Sequence, residues 1–321
     1  LTTMEGLERY EGHLLNWYDT QTLAPLPPSY VSTVDSGNLA GALMALAEGL
    51  LGIGRQAALE TELDPAVAAP VEHSASDAPS GDAKGPTRAS ELAAARLEDL
   101  ARRASAFADG MNFRFLYDPT RRMMSIGYRL ADAEGPGRLD QSYYDLLASE
   151  ARLASFIGIA KGDLPETHWF HLGRLLTSVE GMPTLLSWSA TLFEYLMPLL
   201  LMKRFPDTLL DQSCRMALRR QIAYGRERRV PWGISEAAFN VVDRLDNYQY
   251  KAFGVPGLGL KRGLADDLVV APYATALAKG DALPAAERGA LGFDHGQVGS
   301  ALARKWRLPE HLDAAIAHHH D

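Results

Sequence analysis

Between Leu139 and Lys161 the apolar residues Tyr143, Leu146, Leu153 and Ile157 recur at helical spacing, and Glu150 falls on the same stripe. The pattern predicts a helix with a carboxylate on its buried face. Further helical stretches are predicted over 7–18, from Ser32 to Leu50, over 90–109, from Ser187 to Met202 and from Thr208 to Arg229. Residues 112–132 alternate instead and predict a short hairpin turning at Asp118-Pro119. Residues 61–90 are rich in Ala, Pro, Ser, Asp and Gly without periodicity, the pattern of a mobile loop. Residues 230–260 are irregular and dense in Gly, Pro and aromatics, which marks a functional loop region. Helix after helix with one hairpin predicts an all-α domain.

Local signals refine these spans. Ser32 or Asp35 can cap the helix that holds Leu39, Leu43, Leu46 and Leu50, and Ser187 can cap the next apolar helix. Glycines within the first of these, at 37, 41 and 49, predict a close backbone approach. The most apolar run, Leu185 to Met202, is interrupted by Glu194 and Pro198 and is shorter than the ~20 residues of a spanning helix.

With 321 residues and 47% hydrophobic content the chain can build a sizeable core. A formal net charge of -8 argues against a nucleic-acid surface. The single cysteine, Cys214, excludes a disulfide within the chain. Leu1 is no start residue and no charged-then-apolar leader precedes Leu7, so the chain reads as an internal piece of a longer protein.

The chemistry lies in the acidic residues. A carboxylate buried without a partner acquires a raised pKa and can donate a proton near neutral pH. For Glu150 the competing reading is an ion pair with Arg152 or Arg174, or a rotated helix that returns it to solvent. Glu194, between Phe193 and Tyr195, and Glu236, near Trp232 and Phe239, are two more carboxylates in apolar company. Asp35 either caps its helix or grips a polar ligand. Trp17, Tyr18, Trp169, Trp188, Trp232, Tyr248 and Tyr250 accompany them in loops, and flat rings beside carboxylates are what a carbohydrate requires. His168 and His171 with Trp169 make a weak metal signal without a matching cluster, so no metal or other cofactor is expected.

Long strings carry a resemblance. NWYDTQTLAPLPPSYVSTVDSGNLAGAL, LDQSYYDLLASEARLASFIGIAKGDLPETHWFHLGR, LSWSATLFEYLMPLLLM, RRQIAYGRERRVPWGISEAAFNV and YQYKAFGVPGLGLKRGLADDLVVAPYATALA closely resemble the central domain of bacterial cyclic β-1,2-glucan synthases. The resemblance implies a glucoamylase-type (α/α)6 barrel over residues 1–280, here incomplete and carrying the short hairpin. It also implies that linear β-1,2-glucan is cyclised by anomer-retaining transglycosylation, the alternatives being endo-hydrolysis of the same glucan or a non-catalytic glucan-binding or inert helical fragment. Endo-β-1,2-glucanases are similar and carry an acid at the position of Glu150, which makes Glu150 the expected acid and base. At the position of Glu236 those hydrolases carry no carboxylate, which makes Glu236 the expected nucleophile, with Glu194 in reserve for either role. Asp35, Trp17, Tyr18, Asp145, Trp169, Trp232, Tyr248 and Tyr250 are the expected substrate contacts. The resemblance further implies a cytoplasmic domain of an inner-membrane synthase, with the membrane association residing in the parent protein.

Residues 281–321, including GFDHGQVGSALARKW and AIAHHHD, resemble the helical HD-related output domains of bacterial signalling proteins. They are expected to form a small helical tail. His295, His319, His320 and Asp321 could supply some of the several ligands of an HD metal site, but a working site is not expected.

Overall fold

The computed structural model describes residues 1–63, 88–133, 135–244 and 248–279. They divide into two units, one of Leu1–Tyr144 with Leu153–His171, the other of Asp145–Arg152 with the chain from Leu172 onward.

In the first unit, α1 (Thr2–Gly6) is followed by β1 (Arg9–Tyr10) and β2 (His13–Leu14), where a helix over 7–18 is predicted. Glu11 and Gly12 take φ of 50° and 83°, the two-residue turn whose twist suits an antiparallel hairpin. β3 (Tyr30–Ser32) runs directly into α2 (Thr33–Leu63), and Ser32 Oγ accepts from the Asp35 amide at 3.3 Å, so Ser32 is the cap. α2 packs along α3 (Arg88–Gly110). These helices run into both ends of the expected loop over 61–90, whose residues 64–87 lie outside the described ones. Gly37 fulfils the expectation of a close approach: a Cβ there would lie 2.4 Å from Ala154 Cβ. By length and composition, the helix among the described residues apolar enough to cross a membrane is Thr33–Arg55, rather than the Leu185–Met202 run.

The predicted hairpin forms as β4 (Tyr117–Asp118) and β5 (Met123–Met124). Asp118 Oδ1 closes its turn by accepting from the Thr120 and Arg121 amides at 2.8 and 3.1 Å. β6 (Gly127–Arg129) joins β3 to β7 (Arg138–Leu139) in a three-stranded antiparallel sheet.

The long helix expected from Leu139 is confined to α4 (Arg152–Ala160). Tyr143 is bridged to Ser125, Leu146 makes a parallel bridge to Gly173, and residues 147–151 then bend and turn into the helix. α5 (Thr167–His171) carries the two suspected metal ligands. His168 is fully buried, with Nε2 2.9 Å from Ser155 Oγ and Nδ1 3.1 Å from the Arg122 carbonyl oxygen, and burial pushes its pKa down.

The second unit holds the hairpin β8 (Leu176–Val179) and β9 (Met182–Leu185), again turning on a Glu-Gly pair with positive φ, Glu180 and Gly181. α6 (Leu192–Leu196) replaces most of the expected helix over Ser187–Met202 and passes into a 3-10 turn, Met197–Leu200, begun around Pro198. Ser187 is bridged to Gly259, Ala190 takes φ 57°, and Thr191 is the cap. α7 (Leu209–Arg228) matches its expected span, started by Thr208 Oγ1 accepting from the Asp211 amide at 3.2 Å and ended by Arg229 at φ 57°. β10 (Ala237–Val242) and β11 (Tyr248–Lys251) form a further antiparallel hairpin, and α8 (Pro272–Lys279) follows. Tyr224, Ile234, Phe253 and Val255 make a core beneath it. The all-α expectation is thus corrected: helices dominate, but five small antiparallel sheets join the described segments.

Candidate active site

The three suspect glutamates all belong to the second unit and gather there. Glu150 stands in the turn just before α4, Glu194 in the first turn of α6, and Glu236 immediately before β10. Burial pushes the Glu150 carboxyl up to about 8, and the negative charges of Glu194 and then Glu236 push the same way. Its own amide and the Arg152 guanidinium oppose this more weakly. The residue as a whole remains only partly buried.

Arg152 does not neutralise Glu150 by a direct pair. It is 1% exposed, and its guanidinium donates to three main-chain oxygens: Ser149 at 2.9 Å, Glu194 at 2.7 Å and Tyr195 at 2.5 Å. The Glu150 turn is thereby fastened to α6.

Glu194 is 4% exposed and fully engaged. Its carboxylate accepts from Ser187 Oγ at 2.9 Å, from the Ser189 amide at 3.1 Å and from the Thr191 amide at 3.0 Å, while Thr191 Oγ1 accepts from the Glu194 amide at 3.1 Å. This reciprocal capping starts α6. Burial nevertheless raises its pKa, helped by the charge of Glu236.

The loop beneath it is clamped from the far side. Val255 and Leu260 amides bond to the Ala190 and Ser187 carbonyl oxygens at 3.2 and 3.1 Å. A Cβ on Gly254 would lie 1.7 Å from the Ser189 carbonyl oxygen, so only glycine lets this strand approach.

Glu236 is partly buried. Tyr250 Oη donates to its Oε2 at 2.6 Å across the β10–β11 hairpin, and Tyr273 Oη of α8 donates to its main-chain oxygen at 2.9 Å. Of the other expected contacts in this unit, Asp145 Oδ1 accepts from Trp188 Nε1 at 2.7 Å, and Trp232 offers its carbonyl oxygen to Thr275 Oγ1 at 3.1 Å. Tyr248 opens β11.

Trp17, Tyr18, Asp35 and Trp169 lie in the first unit. Trp17 is 66% exposed, and Asp35 is exposed on the first turn of α2. The Tyr18 hydroxyl donates to the Glu8 carbonyl oxygen at 2.7 Å and accepts from the Leu15 amide at 2.8 Å.

The sequence does not point to Arg152 as a main-chain clamp, Ser187 as an acid's partner, Trp188 as a partner of Asp145, or Tyr273. Only Arg152, two residues from Glu150, carried a local signal, and it pointed to an ion pair.

The fold is shared with solved glucan-cleaving enzymes of the α/α-barrel type. An endo-β-1,2-glucanase from Talaromyces funiculosus, in complex with sophorose, superposes with a TM-score of 0.58 at 15% identity, covering 84% of this chain and 51% of that one. A mutant of the same enzyme with β-1,2-glucan gives a TM-score of 0.58 at 14% identity, with the same coverage. In sequence the chain is similar to the cyclic beta-(1,2)-glucan synthase NdvB of Rhizobium meliloti (strain 1021), 36% identical over 420 aligned residues that take in 100% of the chain. The resemblance to cyclic β-1,2-glucan synthases therefore holds along its whole length, although the chain spans only 15% of that protein. The HDOD domain family matches residues 265–321. This range begins before the expected tail and includes α8, whose Tyr273 bonds beside Glu236.

Proposed function

We propose that this chain is a β-1,2-glucan transglycosylase domain that cyclises linear glucan with retention at the anomeric carbon. The observation that carries the reading is the gathering of Glu150, Glu194 and Glu236, with the Glu150 carboxyl raised to about 8 and so protonated at neutral pH.

Glu150 protonates the leaving glycosidic oxygen while the Glu236 carboxylate attacks the anomeric carbon, giving a covalent glycosyl ester. A sugar hydroxyl then displaces Glu236 and returns its proton to Glu150. When that hydroxyl belongs to the far end of the same chain, the product is a ring. Glu194, held by its capping bonds, acts as a positioning residue and as a negative neighbour that keeps Glu150 protonated. Asp145, Trp232 and Tyr248 are proposed as glucan contacts in the second unit. Trp17, Tyr18, Asp35 and Trp169 are proposed as glucan contacts on the first.

The likeness to endo-β-1,2-glucanases favours a second reading, hydrolysis of the same glucan. The barrel assignment over residues 1–280 and a cytoplasmic place within an inner-membrane synthase are parts of the same proposal, while the expected tail over 281–321 lies outside the described residues. Mass analysis of products from linear β-1,2-glucan decides. Rings, lighter than linear oligomers by one water and lost in Glu150→Gln and Glu236→Gln, support transfer. Short linear products support hydrolysis, and no turnover overturns both readings.

A further inference from the structure

Tyr250 is expected from its sequence context to be a sugar-stacking ring, but its hydroxyl is turned to an acid. Oη lies 2.6 Å from Glu236 Oε2, and the residue is in register with Ala238, two positions beyond Glu236 on β10. From another element, Tyr273 Oη bonds the Glu236 main-chain oxygen at 2.9 Å and lies 3.0 Å from Ser235 Oγ. Two phenols thus fix the carboxyl and the backbone of one residue separately.

We propose that Tyr250 is a catalytic residue that holds Oε2 of Glu236, leaves Oε1 as the attacking atom, and assists the release of Glu236 from its glycosyl ester. The inference rests on the reading of Glu236 as nucleophile. In the first step Oε1 bonds to the anomeric carbon, the bond from that carbon to the leaving oxygen breaks, and this oxygen takes the Glu150 proton. Oε2 becomes the ester carbonyl oxygen, still facing Tyr250. In the second step an acceptor hydroxyl bonds to the anomeric carbon, its proton goes to Glu150, and the bond to Oε1 breaks as negative charge returns to the carboxylate. A hydrogen bond to an ionised group is stronger than one to a neutral carbonyl, so the Tyr250 bond strengthens as the ester opens. It favours carboxylate departure. Burial of the hydroxyl, ahead of the bond to Glu236, raises the phenol pKa and keeps it a donor across the working range.

The test compares Tyr250→Phe, Tyr250→Ala and Glu236→Gln in the full chain on linear β-1,2-glucan. Kinetics are paired with acid quenching and intact-protein mass. Tyr250 is 66% exposed, so the Phe variant should melt like the wild type. In Tyr250→Phe, kcat should fall about 10- to 100-fold, KM should fall with it, and the quenched protein should carry a glucan adduct absent from the wild type. A Tyr250→Phe enzyme with wild-type kcat and KM, with only Tyr250→Ala raising KM, would mean a stacking platform and overturn the inference. A lowered kcat without adduct also overturns it. If Glu236→Gln still transfers, or the wild type turns over no glucan, the nucleophile reading fails and takes the inference with it. An inactive Glu236→Gln beside a wild-type-like Tyr250→Phe sinks the inference alone.

Discussion

The guanidinium of Arg152 donates to the main-chain oxygen of Glu194 at 2.7 Å, and so joins the turn bearing one acid to the helix bearing another. Two further carbonyls, of Ser149 and Tyr195, accept from the same side chain, with the Arg152 amide at 3.2 Å and Cys214 Sγ at 3.2 Å as their other donors. Removing the guanidinium takes a charged donor from three buried acceptors, and each one left short costs about 1–3 kcal/mol. Arg152→Met should therefore lose about 3 kcal/mol or more of unfolding free energy by denaturant titration. A loss under about 1 kcal/mol would mean that the carbonyls find other donors.

The raised pKa of Glu150 has a defined sign in stability. A carboxyl ordinarily near 4.5 that titrates near 8 in the folded chain binds its proton more tightly when folded. Its contribution is fully present below the unfolded value and is lost as pH rises through the folded one. Stability should fall between pH about 4.5 and about 8, with Glu194 adding in the same direction. Glu150→Gln should flatten this slope in melts taken across the range. Turnover by the wild type should decline above pH about 8, as the proton donor ionises. A profile level to pH 10 would count against Glu150 as the acid.

The acids of the candidate site can be named from the sequence, but their frame cannot. Glu150 reads as buried because Leu146 and Leu153 flank it at helical spacing, and its carboxyl is indeed desolvated. The helix, however, starts only at Arg152, since Leu146 is drawn into a bridge with Gly173, 27 residues away in the chain and invisible to periodicity. Ser187 looks like a cap, and its Oγ does accept from the Ala190 amide at 2.9 Å while donating to Glu194, but Ala190 turns to φ 57° and the helix starts only after Thr191. α7 was read correctly because Thr208 and the apolar spacing after it are local signals. The Glu-Gly pairs at 11–12 and 180–181 were a readable hairpin signal, overlooked because the strands they join are short.

Glycines on α2 should separate by what faces them. Gly37→Ala would place its Cβ 2.4 Å from Ala154 Cβ and 2.6 Å from Ala154 Cα, so the helix has to shift. A loss of about 1–3 kcal/mol is expected. Gly49 has nothing within 4 Å of its would-be Cβ and lies mid-helix, so Gly49→Ala should gain about 0.5–1 kcal/mol. Thermal melts of the two variants should move in opposite directions; a shared direction would contradict the α2–α4 approach in the first unit.

Glu194 separates structure from chemistry most directly. Its carboxylate satisfies the Ser187 hydroxyl and the Ser189 and Thr191 amides in the interior, and among the described residues no comparable set of donors holds Glu150. Glu194→Ala should cost about 3 kcal/mol, because those donors are left without an acceptor. Glu194→Gln keeps one oxygen for them and should cost about 1–2 kcal/mol. A positioning residue replaced by its near-isostere should leave glucan turnover measurable, reduced in step with the loosened loop, and should lower the basic limb of the pH profile because one negative neighbour of Glu150 is gone. Glu150→Gln should instead abolish turnover, and near neutral pH it should melt no lower than the wild type, since the neutral amide escapes the cost of keeping a carboxyl protonated there. If Glu194→Gln proves as inactive as Glu150→Gln while melting like the wild type, then Glu194 takes part in the chemistry itself, and its assignment to positioning is wrong.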